Sequence, residues 1–186
     1  IRDLVRSRGL GDVYKRQELH SILVDKSSII WTGTKTTGSH DGTIMVMDGY
    51  VEIDKQSITS GQINIDMNSI VCTDIKKAST NKYFVDHLKN DDFFSVEKFP
   101  IASLNILSSK LIKDDEHEII ANLTIKDITQ KINFIAKINI NEDMANAKGK
   151  LEIDRSKFNI KYKSKTWFPD IGNYFIYDIF TRLGDT

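Results

Sequence analysis

The chain has a lone cysteine, two prolines, no net charge at pH 7 and no long apolar run, and each shortage excludes something. A single thiol, Cys72, cannot make an intrachain disulfide, so cysteine says nothing of the redox compartment; its simplest role is a small buried apolar residue. Balanced charge argues against a nucleic-acid partner, because neutralising phosphates takes a clustered positive excess. No apolar stretch approaches the ~20 residues that span a bilayer as a helix, so no transmembrane segment is expected. Neither Pro100 nor Pro169 interrupts a strand-like run. What remains is an ordinary globular composition, 40% hydrophobic and 28% charged, in 186 residues that suit one domain.

Residues 1–17, IRDLVRSRGLGDVYKRQ, show neither strand alternation nor a helical apolar stripe, and no apolar core of a signal peptide follows the basic residues. The run from Asp12 to Gln17 reads as the translation of a common transposon mosaic-end adapter. The segment is therefore expected to be foreign, fused to a gene that lost its own start and any export signal with it. It carries five Lys/Arg against two Asp/Glu, which leaves residues 18–186, the domain proper, mildly acidic.

From Glu18 onward the dominant period is two. Ile29 and Trp31, Ile44 and Val46, and Ile63, Ile65 and Met67 alternate with polar neighbours. So do Ile119, Ala121, Leu123 and Ile125, then Ile132, Phe134, Ala136, Ile138 and Ile140. Leu151 and Ile153, Phe158, Ile160 and Tyr162, and Phe175, Tyr177 and Ile179 complete the pattern. Such alternation gives each strand one dry and one wet face, the mark of an antiparallel sheet. Turns are expected at His40-Asp41-Gly42 and Asp48-Gly49, and at the polar links 54–57, 113–116 and 141–143. A long sheet of this kind closes or folds on itself, since otherwise it leaves a large greasy surface. One segment departs from the rule. Between Thr80 and Asn90, Tyr83, Phe84, His87 and Leu88 recur at helical spacing opposite Lys82, Asp86 and Lys89, with Ser79 or Thr80 placed to cap the start. A helix and the aromatic-rich loop after it, Asp91 to Pro100, are expected across one opening.

Catalytic chemistry is hard to find. His20, His40, His87 and His117 have no second ligand at a spacing typical of zinc sites, so no metal is expected. No nucleophile elbow, P-loop or dinucleotide fingerprint is present, and Cys72 has no evident base. Arg155 reads as half of a structural salt bridge in preference to a ligand anchor. The reading is of no catalytic residue and no enzyme. The aromatics carry more: Phe84, Phe93, Phe94 and Phe99 gather around the helix, and Trp31, Phe134, Phe158 and Phe175 fall on dry strand faces. A small barrel holds either side chains or one ligand. Small inward residues such as Ala121 and Ala136 favour a channel, large ones a solid core, and the sequence leaves both open.

The stretches SSIIWTGTKTTGSHDGTI, GQINIDMNSIVCTD, DHLKNDDFFSVEKFPIASLNI, NLTIKDITQKINF, IDRSKFNIKY and IYDIF closely resemble the YceI-like family of bacterial lipid-binding proteins. The most specific elements are His87-Leu88-Lys89 with Asp91-Asp92-Phe93-Phe94 and Lys98-Phe99-Pro100, then the block Leu123 to Ile132. The resemblance implies a closed eight-stranded antiparallel lipocalin-like β-barrel with one helix near one opening. It also implies an interior that takes a polyisoprenoid or quinone-like chain, a periplasmic or secreted location, and no established catalytic residue. Asn159 and Asp127 stand where the family often has Gly, and the tail TRLGDT departs from the expected apolar strand ending. On this footing Trp31, Phe84, Leu88, Phe93, Phe94, Leu123, Phe134 and Phe158 are the expected wall residues. His87 and Tyr162 are the polar candidates and would supply acid or base to a lipid isomerase or cyclase, the first alternative. A solid-core assembly or stress-response module is the second. The expected partner is a long apolar lipid rather than a separate cofactor, and a homodimer is left open.

Overall fold

Alternation becomes nine antiparallel strands and one α-helix in a computed structural model that describes residues 19–35, 38–54, 57–160 and 173–182. For residue 35 and residues 173–182 the description is of the backbone course. The expected foreign segment and Tyr162 lie outside the described residues. The strands are β1 (Leu19–Ser21), β2 (Ser28–Lys35), β3 (Gly38–Asp54), β4 (Ser57–Cys72), β5 (Ile101–Lys113), β6 (Glu116–Ile125), β7 (Ile128–Ile140), β8 (Met144–Ile153) and β9 (Asn173–Arg182); the helix α1 is Ala78–Lys89.

The eight long strands pair in the order β3-β2-β9-β8-β7-β6-β5-β4, and β3 also pairs with β4. The three-residue β1 is one strand more than expected; it joins β3 through Leu19↔Glu52 and Ser21↔Tyr50, beyond the stretch that β2 covers. The dry faces point to a shared interior. Along β6 burial alternates without a break, with His117, Ile119, Ala121, Leu123 and Ile125 turned in. β4 and β5 share a short ladder, from Gly61↔Ile106 to Asp66↔Ile101. Beyond it Ser108–Leu111 and Lys113 of β5 pair, among the described residues, only with β6.

Three polar links fall where expected, between β3 and β4, β5 and β6, and β7 and β8. The two Asp-Gly pairs do not. Asp41-Gly42 and Asp48-Gly49 lie inside the seventeen-residue β3, which bends through register shifts at Thr43/Met45 and Val46/Asp48. Here glycine serves close approach. A Cβ on Gly42 would stand 1.9 Å from the Val71 carbonyl oxygen and 2.4 Å from the Trp31 ring, its cross-strand partner. The run through Phe158 is also corrected. Residues Arg155–Phe158 form a 3₁₀ turn in which Asp154 accepts from the Ser156 N–H, and Asn159 follows at φ 57°. Asparagine tolerates this left-handed region, so the residue in the place of a family glycine adopts a conformation that glycine favours. The helix starts two residues earlier than expected. Lys77, rather than Ser79 or Thr80, is its N-cap, with no side-chain capping bond; Asn81 instead donates to the Cys72 and Ile75 carbonyls and ties the first turn to the end of β4.

His117 gives the fold a pH dependence. It is 2% exposed, and its Nδ1 has no hydrogen-bond partner among the described residues. Burial disfavours the charged ring and lowers its pKa, against the pull of nearby Asp115. The unfolded chain therefore takes up this proton at a higher pH than the folded one. The stability due to neutral His117 is full above the ordinary histidine value of ~6.5 and is lost as pH falls through the window below it. Urea midpoints should drop as pH falls below about 6.5, and His117→Leu should flatten that part of the profile. An unchanged slope in the variant would assign the acid sensitivity to other groups.

Candidate functional site: an apolar chamber under the helix

The inward faces of the strands do not fill the interior. They leave a cavity of about 400 Å³ whose wall draws on β2 through β8, α1 and the loop after it. Seven of the eight expected wall residues line it: Trp31, Phe84, Leu88, Phe93, Phe94, Leu123 and Phe134. The eighth, Phe158, is 1% exposed and is not among the lining residues, because the 3₁₀ turn packs it into the core. Phe99 is half-buried and also off the wall. Ala136 lines the cavity, whereas Ala121 is buried without reaching it.

The helix covers one end. Leu88 is its buried residue, Phe84 and His87 flank it on the wall, and Tyr83, though it touches the rim, is 77% exposed. The loop after the helix doubles back through Phe94 N–H to Leu88 O and Val96 N–H to Lys89 O, with Ser95 at φ 50°. That return sets Phe93 and Phe94 edge to face at 4.9 Å, with the His87 ring 6.1 Å from Phe93. On the opposite side Phe84 stands 6.4 Å from Trp31 and 4.6 Å from His40. Trp31 Nε1 donates to the Thr43 carbonyl, which holds the indole along the wall instead of across the chamber. Leu88→Ala should cost about 2–4 kcal/mol of stability, nearer the lower end because the residue already borders a void, as measured by chemical denaturation.

The polar groups on the wall are few: Thr32 and Thr34 of β2, His40 of β3, His87 of α1, Asn146 of β8, and Arg155. No carboxylate lines the cavity among the described residues. Arg155 is buried with its guanidinium 4.9 Å above the Phe93 ring; burial lowers its pKa, and Asp154 opposes this. Sequence favoured a structural salt bridge for Arg155 over a ligand anchor; the structure also places it on the wall. An arginine two residues past the end of an apolar alternating run was the one signal in the sequence.

Sequence spacing also missed a cluster at the rim. His40 Nδ1 lies 2.9 Å from Asp74 Oδ2, and the Cys72 thiol donates to Asp74 Oδ1 at 3.0 Å. The Asp41 N–H donates to the same Oδ1. Burial by itself raises the Asp74 pKa, but the bonds from Cys72 and His40 outweigh it and hold the group at about 2. The Cys72 thiol moves the other way, pushed up by burial and then by its bond to Asp74. His40 and Cys72 therefore do have close partners, contrary to the expectation from spacing. They are 32 residues apart and meet only through the β3–β4 pairing.

An antiparallel sheet of eight long strands with one helix over an apolar chamber defines a class of small all-β proteins with a hollow interior. Residues 21–177 match the YceI-like domain, and the chain belongs to the YceI-like family. It is 30% identical over 97 residues to Protein YceI of Salmonella arizonae and of Salmonella newport. The matched region takes in 52% of this chain and 48% of each relative, so the chain spans about half the length of the curated relatives it matches. In structure it is similar to Burkholderia cenocepacia BcnA, with TM-score 0.69 and 17% identity over 86% of this chain and 98% of that one. It is also similar to the Campylobacter jejuni YCEI protein, with TM-score 0.59 and 19% identity over 75% and 84%. At such identities the likeness speaks to the fold. No helix among the described residues is long and apolar enough to cross a membrane.

Proposed function

We propose that the protein binds a long apolar lipid, a polyisoprenoid or quinone-like chain, inside a closed barrel, and sequesters or carries it in the periplasm or outside the cell. The observation that carries this reading is the cavity of about 400 Å³, walled by aliphatic and aromatic side chains and roofed by α1. Burial of apolar surface at ~25 cal/mol per Å² supplies affinity without a charged contact. Closure is supported by the pairings: each of the eight long strands has a neighbour on both sides, with β3–β4 joining the two ends of the series. A binding role fits a wall that is aliphatic and aromatic apart from a few polar groups such as His40, His87 and Arg155. The test is to express the full chain in a bacterial host, extract it with organic solvent and analyse extract and intact protein by mass spectrometry. One apolar chain per protein is the expected result. A fully apo mass, with no uptake of polyprenol or ubiquinone from vesicles, would overturn the reading.

A further inference from the structure

We propose that His40, Cys72 and Asp74 form a binding site for a divalent zinc-type ion at the rim of the cavity. The three donor atoms lie within 4.8 Å of one another. Tetrahedral ligands at 2.0–2.3 Å from a metal stand roughly 3.3–3.8 Å apart, so the 2.9 and 3.0 Å contacts, made to the two different Asp74 oxygens, must open by some tenths of an ångström while the widest donor pair, up to 4.8 Å apart, closes toward that range. Imidazole, thiolate and carboxylate together suit zinc, whereas calcium and magnesium demand an all-oxygen shell.

The backbone that carries the ligands is fixed from several directions. Thr73 N–H donates to the Asp41 carbonyl at 2.8 Å, and Asp41 N–H returns a bond to Asp74. Asn81 of the helix holds the Cys72 and Ile75 carbonyls at 2.8 and 2.9 Å. A break in the β3–β4 register brings this about. Thr43 pairs with Val71, but Met45 pairs with Asp66, so β4 spends extra residues before reaching Cys72. That excursion brings the end of β4 level with His40 and Asp41.

A nucleophilic thiol fits the arrangement less well. The carboxylate stands between Cys72 and His40, accepts the thiol proton's hydrogen bond and repels a thiolate. A metal ion reverses this: it takes the thiolate and carboxylate as ligands, releases the thiol proton to solvent and leaves a neutral site. Three protein donors leave a fourth position for water or another ligand. His40 belongs to both the cluster and the cavity wall, so the ion would sit where a bound molecule's polar end meets the rim.

The test uses the full chain, freed of metal by chelation and titrated with Co²⁺ and then Zn²⁺. One equivalent of Co²⁺ should give visible bands of tetrahedral intensity and a near-ultraviolet thiolate-to-cobalt charge-transfer band, both removed by Zn²⁺. Cys72 is the only cysteine in the sequence, so the charge-transfer band alone assigns the sulfur even if a variant fails to fold. Cys72→Ser should abolish that band. Cys72→Ser and His40→Ala should each weaken zinc at least about a hundredfold, the upper range for loss of even an outer-shell partner. Absence of the band in the parent chain would overturn the site, as would zinc affinity unchanged in Cys72→Ser.

Discussion

Ala136→Phe protein should leave a bacterial host with little or none of the apolar chain proposed to occupy the parent protein. Ala136 is buried at the middle of β7, lines the cavity, and pairs with His117 on one side and Gly149 on the other. A phenyl ring there points into empty volume, so it should lodge with little strain. It would exclude roughly four methylenes of a guest at ~0.8 kcal/mol each, about 3 kcal/mol or two orders of magnitude in affinity. Folding should be retained or strengthened, because the ring fills space that is now unfilled. Lipid per protein by extraction and mass analysis, with a denaturation midpoint beside it, checks both halves. Undiminished lipid in a folded variant would mean that the guest lies elsewhere.

The second large effect is on stability. Gly42→Ala should destabilise the fold by about 3 kcal/mol or more, at or above the upper end of what overpacking costs. The new methyl meets the Val71 carbonyl at 1.9 Å and two Trp31 ring atoms at 2.4 and 2.5 Å. The indole has a bond to the Thr43 carbonyl to lose, and the carbonyl belongs to a neighbouring strand, so neither gives way cheaply. Urea unfolding measures the loss. Trp31→Leu in the same chain should recover only part of it, since the backbone clash stays. Full recovery would place the strain on the ring alone.

Gly42 also shows where sequence reading ran short. Asp-Gly is a strong hairpin signal, and nothing local separates a glycine that turns the chain from one that lets a tryptophan lie across its strand. The alternating runs at 119–125 and 132–140 were legible because each strand states its own dry face. The helix was legible from Phe84 and Leu88, although its start was not, since Lys77 precedes it with no side-chain capping bond and Asn81 instead ties the first turn back to the end of β4. The aromatics of the wall could be named because an aromatic on a dry face has few other places to be, whereas the many aliphatic residues around them could not be told from ordinary core. Phe158 broke that inference by leaving strand geometry for a 3₁₀ turn. His40, Cys72 and Asp74 were out of reach altogether, because their meeting depends on a register offset between two strands that neither strand encodes by itself.

The stretch of β5 beyond its short ladder with β4 has a consequence for life in a crowded compartment. Among the described residues, 107–113 have no strand on the side away from β6, and Leu107, Leu111 and Ile112 are exposed beside that edge. That is the recipe for stitching one copy to the next without end. Lys110 and Lys113 stand in the same stretch, and any visiting strand would have to strip water from two ammonium groups to settle there. The seam is thereby guarded against polymerisation by charge.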